Sequence, residues 1–188
     1  KDVLLMRNET VRSLKFLRCY PLNSLTVYDF ESVEDIDSLL GENHILKASL
    51  RELDLDRMHG VDEVSTLRGY GLEYLNLSAF RGFGWFEDLM EDNDLLKANL
   101  KTFITMGNDF DAKILEGYAL ERLEIFWSDV RNIEGFLESN TVLKKTLKNL
   151  DLTKVKQLKD VSCLQDYEGI ETLDLSWTGV EDISAILE

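Results

Sequence analysis

The chain is short of the residues that most often carry chemistry or covalent bracing: two histidines, two cysteines and one proline in 188 residues. Two cysteines as far apart as Cys19 and Cys163 cannot build a disulfide framework. Each lies within two residues of a leucine, so both are read as small core thiols, and their scarcity favours a reducing, intracellular compartment. His44 and His59 are too few for a proton relay, and neither stands at metal-ligand spacing from a carboxylate or thiol. No window approaches eighteen apolar residues, so no membrane-spanning helix is expected, and the apolar run ending at Met6 is too short for a signal-peptide core. Gly69-Tyr70-Gly71 and Gly82-Phe83-Gly84 stop short of a dinucleotide or phosphate loop, and Asp54, Asp56 and Gly60 miss the EF-hand spacing. The expectation is a non-enzymatic chain with no cofactor, metal or small-molecule substrate.

Positive charge is scarce as well: 21 basic against 36 acidic residues leave a net −15. Such a surface repels phosphate backbones, which argues against nucleic acid. It suits a basic protein or peptide partner, and it equally serves plain solubility. The triplet Asn8-Glu9-Thr10 would be glycosylated only in a secreted chain.

What the chain has in quantity is self-similarity. Asn43-His44-Ile45-Leu46-Lys47 returns as Asn93-Asp94-Leu95-Leu96-Lys97 and as Asn140-Thr141-Val142-Leu143-Lys144, 50 and 47 residues apart. A Leu-x-x-Tyr column places Tyr20, Tyr70, Tyr118 and Tyr167 at spacings of 50, 48 and 49. After each block or tyrosine comes a run of the form L-x-x-L-x-L, such as Leu50-x-x-Leu53-x-Leu55, Leu72-x-x-Leu75-x-Leu77, Leu120-x-x-Leu123-x-Ile125 and Leu147-x-x-Leu150-x-Leu152. Each period therefore holds a longer and a shorter unit of about 20 to 29 residues. The best-formed copy, Ile170-Glu171-Thr172-Leu173-Asp174-Leu175 followed by Val180-Glu181-Asp182-Ile183-Ser184, resembles the leucine-rich-repeat superfamily of the intracellular phosphatase-regulator and internalin types. Irregular unit lengths make it similar also to F-box-type arrays. The asparagine usual after the strand motif is replaced by Phe30, Met58, Phe80 and Thr178.

The resemblance implies an α/β solenoid: a curved parallel sheet on the concave side, short helices and loops on the convex side, and one array over residues 1–188 with about eight strand units. Alternation of apolar and polar residues in the runs is the period of a strand with one buried face, and strands so short become stable only by stacking. Val33, Ile36, Leu39 and Leu40 recur at helical spacing, as do Phe86, Leu89 and Met90, and Ile133, Phe136 and Leu137, which places the helices. Ser32 and Ser184 are read as caps or turn formers, and the Asn43, Asn93, Asn140 column as a turn. Both ends resemble the inside of an array, so a longer parent array is expected.

The function implied is a protein-interaction module that holds a protein or peptide on its concave face. Two alternatives stay open, the substrate-recognition array of an F-box ubiquitin ligase and the sensor or surface-antigen array of an immune receptor or pathogen protein. Partner-binding residues are sought among outward strand positions. Glu52, Asp54 and Asp56 form an acidic strip flanked by Tyr28 and Tyr74. Ile104 and Met106 should lie beside Glu124 and Phe126 as an apolar spot with an acidic edge. No nucleic acid and no membrane is expected as a partner, and the recurrent tyrosines are read as structural.

Overall fold

In the computed structural model, which describes residues 1–6, 11–28, 39–41, 43–57, 67–78, 85–91 and 93–186, the L-x-x-L-x-L runs are parallel strands. Eight of them form one sheet in the order β1 (Asp2–Met6), β2 (Ser24–Tyr28), β3 (Glu52–Asp54), β4 (Tyr74–Asn76), β5 (Thr102–Met106), β7 (Arg122–Phe126), β9 (Asn149–Asp151) and β10 (Thr172–Asp174). Two further strands, β6 (Asp109–Asp111) and β8 (Asp129–Arg131), pair with each other in a small second sheet. The inward leucines are in register from strand to strand: Leu25, Leu53, Leu75, Phe103, Leu123 and Leu150 pair in succession. All six are buried within one continuous core. Each such side chain contributes about 1.5–3 kcal/mol by leaving water, so a three-residue strand is held by its neighbours and not by itself.

The return segments carry the helices. Helical spacing is realised in α2 (Trp85–Met90) and in α4 (Ile133–Ser139), which buries Ile133, Phe136 and Leu137. The counterpart expected from Val33 onward lies for the most part outside the described residues, though Leu39 and Leu40 are buried. Ser32, His59, Gly82 and the Asn8 triplet also lie outside them.

The asparagine column differs from expectation. It opens three one-turn helices, α1 (His44–Ser49), α3 (Asp94–Asn99) and α5 (Leu143–Thr146). Asn43 Oδ1 accepts the Leu46 N–H at 3.1 Å, Asn93 Oδ1 that of Leu96 at 3.2 Å, and Asn140 Oδ1 that of Leu143 at 3.0 Å. Asparagine satisfies an orphan N–H there. With a single inward leucine per turn, these helices have too few apolar residues to register as a period.

The tyrosine column ties successive units together. The hydroxyl of Tyr70 donates to the Leu40 carbonyl at 2.6 Å, that of Tyr118 to Met90 at 2.9 Å, and that of Tyr167 to Leu137 at 2.9 Å. Each acceptor sits in the return segment of the preceding period, and burial pushes all three hydroxyls well above their ordinary pKa. Tyr20 differs: it is 48% exposed, with the Lys1 ammonium 5.7 Å from its ring. Gly69, just before Tyr70, takes φ +87°, and the turn needs glycine for that reason rather than for phosphate.

Two further expectations are corrected and one is narrowed. Cys163 is a buried thiol, pushed up to about 12 by burial and by Glu134 and Asp160, but Cys19 is exposed. Of the two roles open to Ser184 it takes the turn: it opens the short 3-10 turn Ser184–Ile186, and its N–H is bound by Asp182, as Asp160 binds Ser162 and Asp111 binds Lys113. The asparagine after the strand is not lost throughout. Asn108 is buried and donates to Thr105 Oγ1 at 2.7 Å and to the Met106 carbonyl at 3.0 Å. Among the described residues no helix is long and apolar enough to cross a membrane, and no cluster of metal-ligating side chains occurs.

Candidate interaction surface

The strand alternation that buries the leucines turns the intervening side chains away from the core in three rows. Strand pairing sets their order. The middle row runs Leu4, Thr26, Asp54, Asn76, Ile104, Glu124, Asp151, Asp174 across the sheet. Neighbouring members are about 4.8 Å apart along the row, close enough for direct side-chain interaction.

Glu52 is exposed and stands in register with Tyr74. Asp54 is bound on both oxygens: Oδ1 accepts the Asp56 N–H at 3.1 Å and Oδ2 accepts the Tyr74 hydroxyl at 3.3 Å. The Tyr74 hydroxyl is accordingly pushed up to about 12, first by burial and then by the Asp54 charge. Asp56 lies past the end of β3, in the turn. Tyr28 is half-buried, and the Arg57 guanidinium lies 5.6 Å from its ring centre. Much of the acidic strip and both flanking tyrosines are thus engaged within the fold.

The second group is assembled differently. Ile104 pairs with Glu124 and Met106 with Phe126 on adjacent strands. Ile104 is only 8% exposed, so it forms the floor of the spot and not its rim. Met106 and Phe126 are half-buried. Glu124 accepts the Arg122 Nε at 2.6 Å, so its charge is shared along its own strand. The result is a small apolar platform with a paired charge at its edge.

The turn that ends each strand holds residues that the outward alternation does not mark. Four residues beyond the first inward residue of β3, β5, β7, β9 and β10 stand Arg57, Gly107, Trp127, Lys154 and Trp177, all with positive φ. The N–H groups of Arg57, Gly107, Trp127 and Lys154 extend the ladder, as when Trp127 donates to the Thr153 carbonyl at 3.0 Å and Lys154 to that of Ser176 at 2.8 Å. Trp127 is 60% and Trp177 75% exposed. The Lys154 ammonium lies between them, 3.5 Å from the Trp127 ring centre and 5.9 Å from that of Trp177. Gly107 in this column, once the strand runs are aligned, is the sequence signal that could have found it.

A small asparagine or aspartate turn recurs along the same edge. Asp54, Asn76, Asp151 and Asp174 each accept the N–H two residues on. The Ser176 side chain and then its N–H hold the Asp174 carboxyl below its ordinary range. These residues are outward facing because the turn needs them, which is a reason independent of any partner.

No protein-family model matches the chain, and no curated protein does either. Among solved structures it is similar to an internalin C2 from Listeria monocytogenes, with TM-score 0.70 and 17% identity over 99% of this chain and 75% of that one. It is also similar to an internalin (inlF) from the same organism, with TM-score 0.57 and 16% identity, covering 96% of this chain and 56% of that one. At these identities the likeness is one of fold. The in-register strands, the single shared core and this likeness together give the chain the fold of an α/β leucine-rich-repeat solenoid.

Proposed function

We propose that the chain is a protein-interaction module and that it holds a protein or peptide on the outward face of its sheet. The observation that carries this reading is the cross-strand pair Met106 and Phe126, half-buried and in register over the floor made by Ile104. A Met and an aromatic ring presented on rigid strands form the kind of anchor that supplies most of an interface's energy. The net charge of −15, with Asp151 beside Glu124 on the next strand, favours a partner with basic side chains. The sparse cysteines favour a reducing, intracellular setting.

The test is affinity capture with the intact chain, beside two variants. Met106→Glu with Phe126→Glu is expected to lose the captured partner. Charge reversal of Glu52, Asp54 and Asp56 to lysine is expected to weaken capture less. Retention of every partner by both variants overturns the reading.

A further inference from the structure

The ledge of Trp127, Lys154 and Trp177 is not explained by the fold. A bulky side chain at positive φ is a strained outlier, and glycine meets the same need without the strain, as Gly107 does on β5. The indoles do not offset that strain by burial, since both are more than half exposed. The Lys154 ammonium, stacked on one ring and facing the other, brings the two ring centres to within about 9.4 Å, the two distances laid end to end.

The surroundings specify a sign. Trp127, Lys154, Lys156 and Gln157 line an open cleft of about 340 Å³ together with Ser128 and Asp129. Asp129, bonded by Gln157 Nε2, is the one carboxylate of the lining, so two ammonium groups face one negative charge there. Lys154 and Lys156 take part in none of the ion pairs seen among the described residues, although acids outnumber bases in the chain by 36 to 21. The strand-end ledge is therefore basic and aromatic, while the middle row of the sheet beside it carries Glu124, Asp151 and Asp174. The loop is also held in place. Gly179 packs against the backbone of Lys156 and Leu158, where a Cβ would come within 2.9 Å of the Lys156 carbonyl oxygen, and its N–H donates to Leu158.

We propose that this ledge is a second docking site, distinct from the Met106 and Phe126 platform, for an acidic, extended segment of a partner protein. Carboxylates of that segment pair with Lys154 and Lys156, and an adjacent apolar or aromatic side chain lies on the exposed face of Trp127 or Trp177. Charge complementarity selects the acidic segment: a basic one would meet two ammonium groups against the single Asp129 carboxylate in the cleft.

The probe is a twelve-residue capped peptide of four Glu-Tyr-Gly repeats, with four Lys-Tyr-Gly repeats as its charge-reversed counterpart. Binding to the intact chain is followed by tryptophan fluorescence excited at 295 nm and by calorimetry. The acidic peptide is expected to bind and to shift the emission. Affinity should fall about tenfold or more in Trp127→Gly with Trp177→Gly, and by a similar factor in Lys154→Gln with Lys156→Gln. Glycine suits the positive φ, so the first variant should melt within a few degrees of the parent, and the lysine variant leaves the backbone untouched. Met106→Ser with Phe126→Ser, which removes the platform's apolar side chains without changing the charge beside Trp127, should bind the acidic peptide as the parent does, which separates this site from the platform. Equal binding of the basic peptide, undiminished binding by both ledge variants, or no binding of the acidic peptide at about millimolar concentration overturns the proposal. So does self-association of the parent chain that the tryptophan variant abolishes, because the ledge would then be filled by a second copy.

Discussion

Asp54 and Glu124 stand in the same outward row of one parallel sheet, three strands apart, yet their neighbourhoods have opposite characters. Around Asp54 the polar groups close on each other: the carboxylate takes the Asp56 N–H and the Tyr74 hydroxyl, and Arg57 covers Tyr28. Around Glu124 the carboxylate is paired with Arg122, and what remains at the surface on the β5 side is the apolar pair Met106 and Phe126. Outward direction alone does not mark a binding residue. The side chains still available to a partner are those the turn and the neighbouring strand have not used.

The largest effects should be the same under both regions, because they share one core. Leu53→Ala and Leu123→Ala are each expected to cost about 2–5 kcal/mol in denaturant unfolding. Both leucines are fully buried and lie in the same paired row. Clearly unequal costs would mean that the two regions differ beneath the surface as well.

Phe126→Ala should divide binding from stability. Partner affinity is expected to fall by about 2 kcal/mol or more, measured by calorimetry, with unfolding changed by less than about 1 kcal/mol. Asp54→Ala should do the converse, costing roughly 1–2 kcal/mol of stability through its lost turn bond while affinity holds. If Asp54→Ala reduces affinity as far as Phe126→Ala does, the contrast between the regions fails.

A smaller effect follows from Tyr74, whose pKa is raised from 10.0 to about 12. The folded chain holds that proton more tightly than the unfolded one. Its contribution to stability is therefore full below the ordinary value and is lost as pH rises through about 12. In Asp54→Asn the phenol absorbance at 295 nm should titrate at lower pH than in the parent, and an unchanged midpoint would remove the Asp54–Tyr74 bond from the account. The smallest test uses the cysteines. One thiol, Cys19, should react with a disulfide reagent in the folded chain, and Cys163 should follow only on unfolding.

The strands were legible because alternation is a strong signal, and four tyrosines at near-constant spacing fixed the repeat. The pairing of Ile104 with Glu124 and Met106 with Phe126 followed from that alignment. The one-turn helices were not legible, because Leu46, Leu96 and Leu143 each stand alone on a turn and asparagine serves turns and caps alike. Nor was the burial of Ile104 legible, or the closure of Tyr74 on Asp54, since both depend on side-chain contacts across strands. Trp127 and Trp177 escaped because they fall after the alternation ends, at a position defined by backbone handedness. Cys19 misled because a nearby leucine, Leu17, is buried while the cysteine itself is not.

Hydroxyl-radical footprinting of the chain with its captured partner tests the central claim most directly, since methionine and aromatic side chains report their own exposure. Protection of Met106 and Phe126, with Tyr28 and Tyr74 oxidised as in the unbound chain, is the predicted result. Protection of Tyr28 and Tyr74 while Met106 and Phe126 oxidise at the unbound rate would place the partner over the acidic strip and contradict the account.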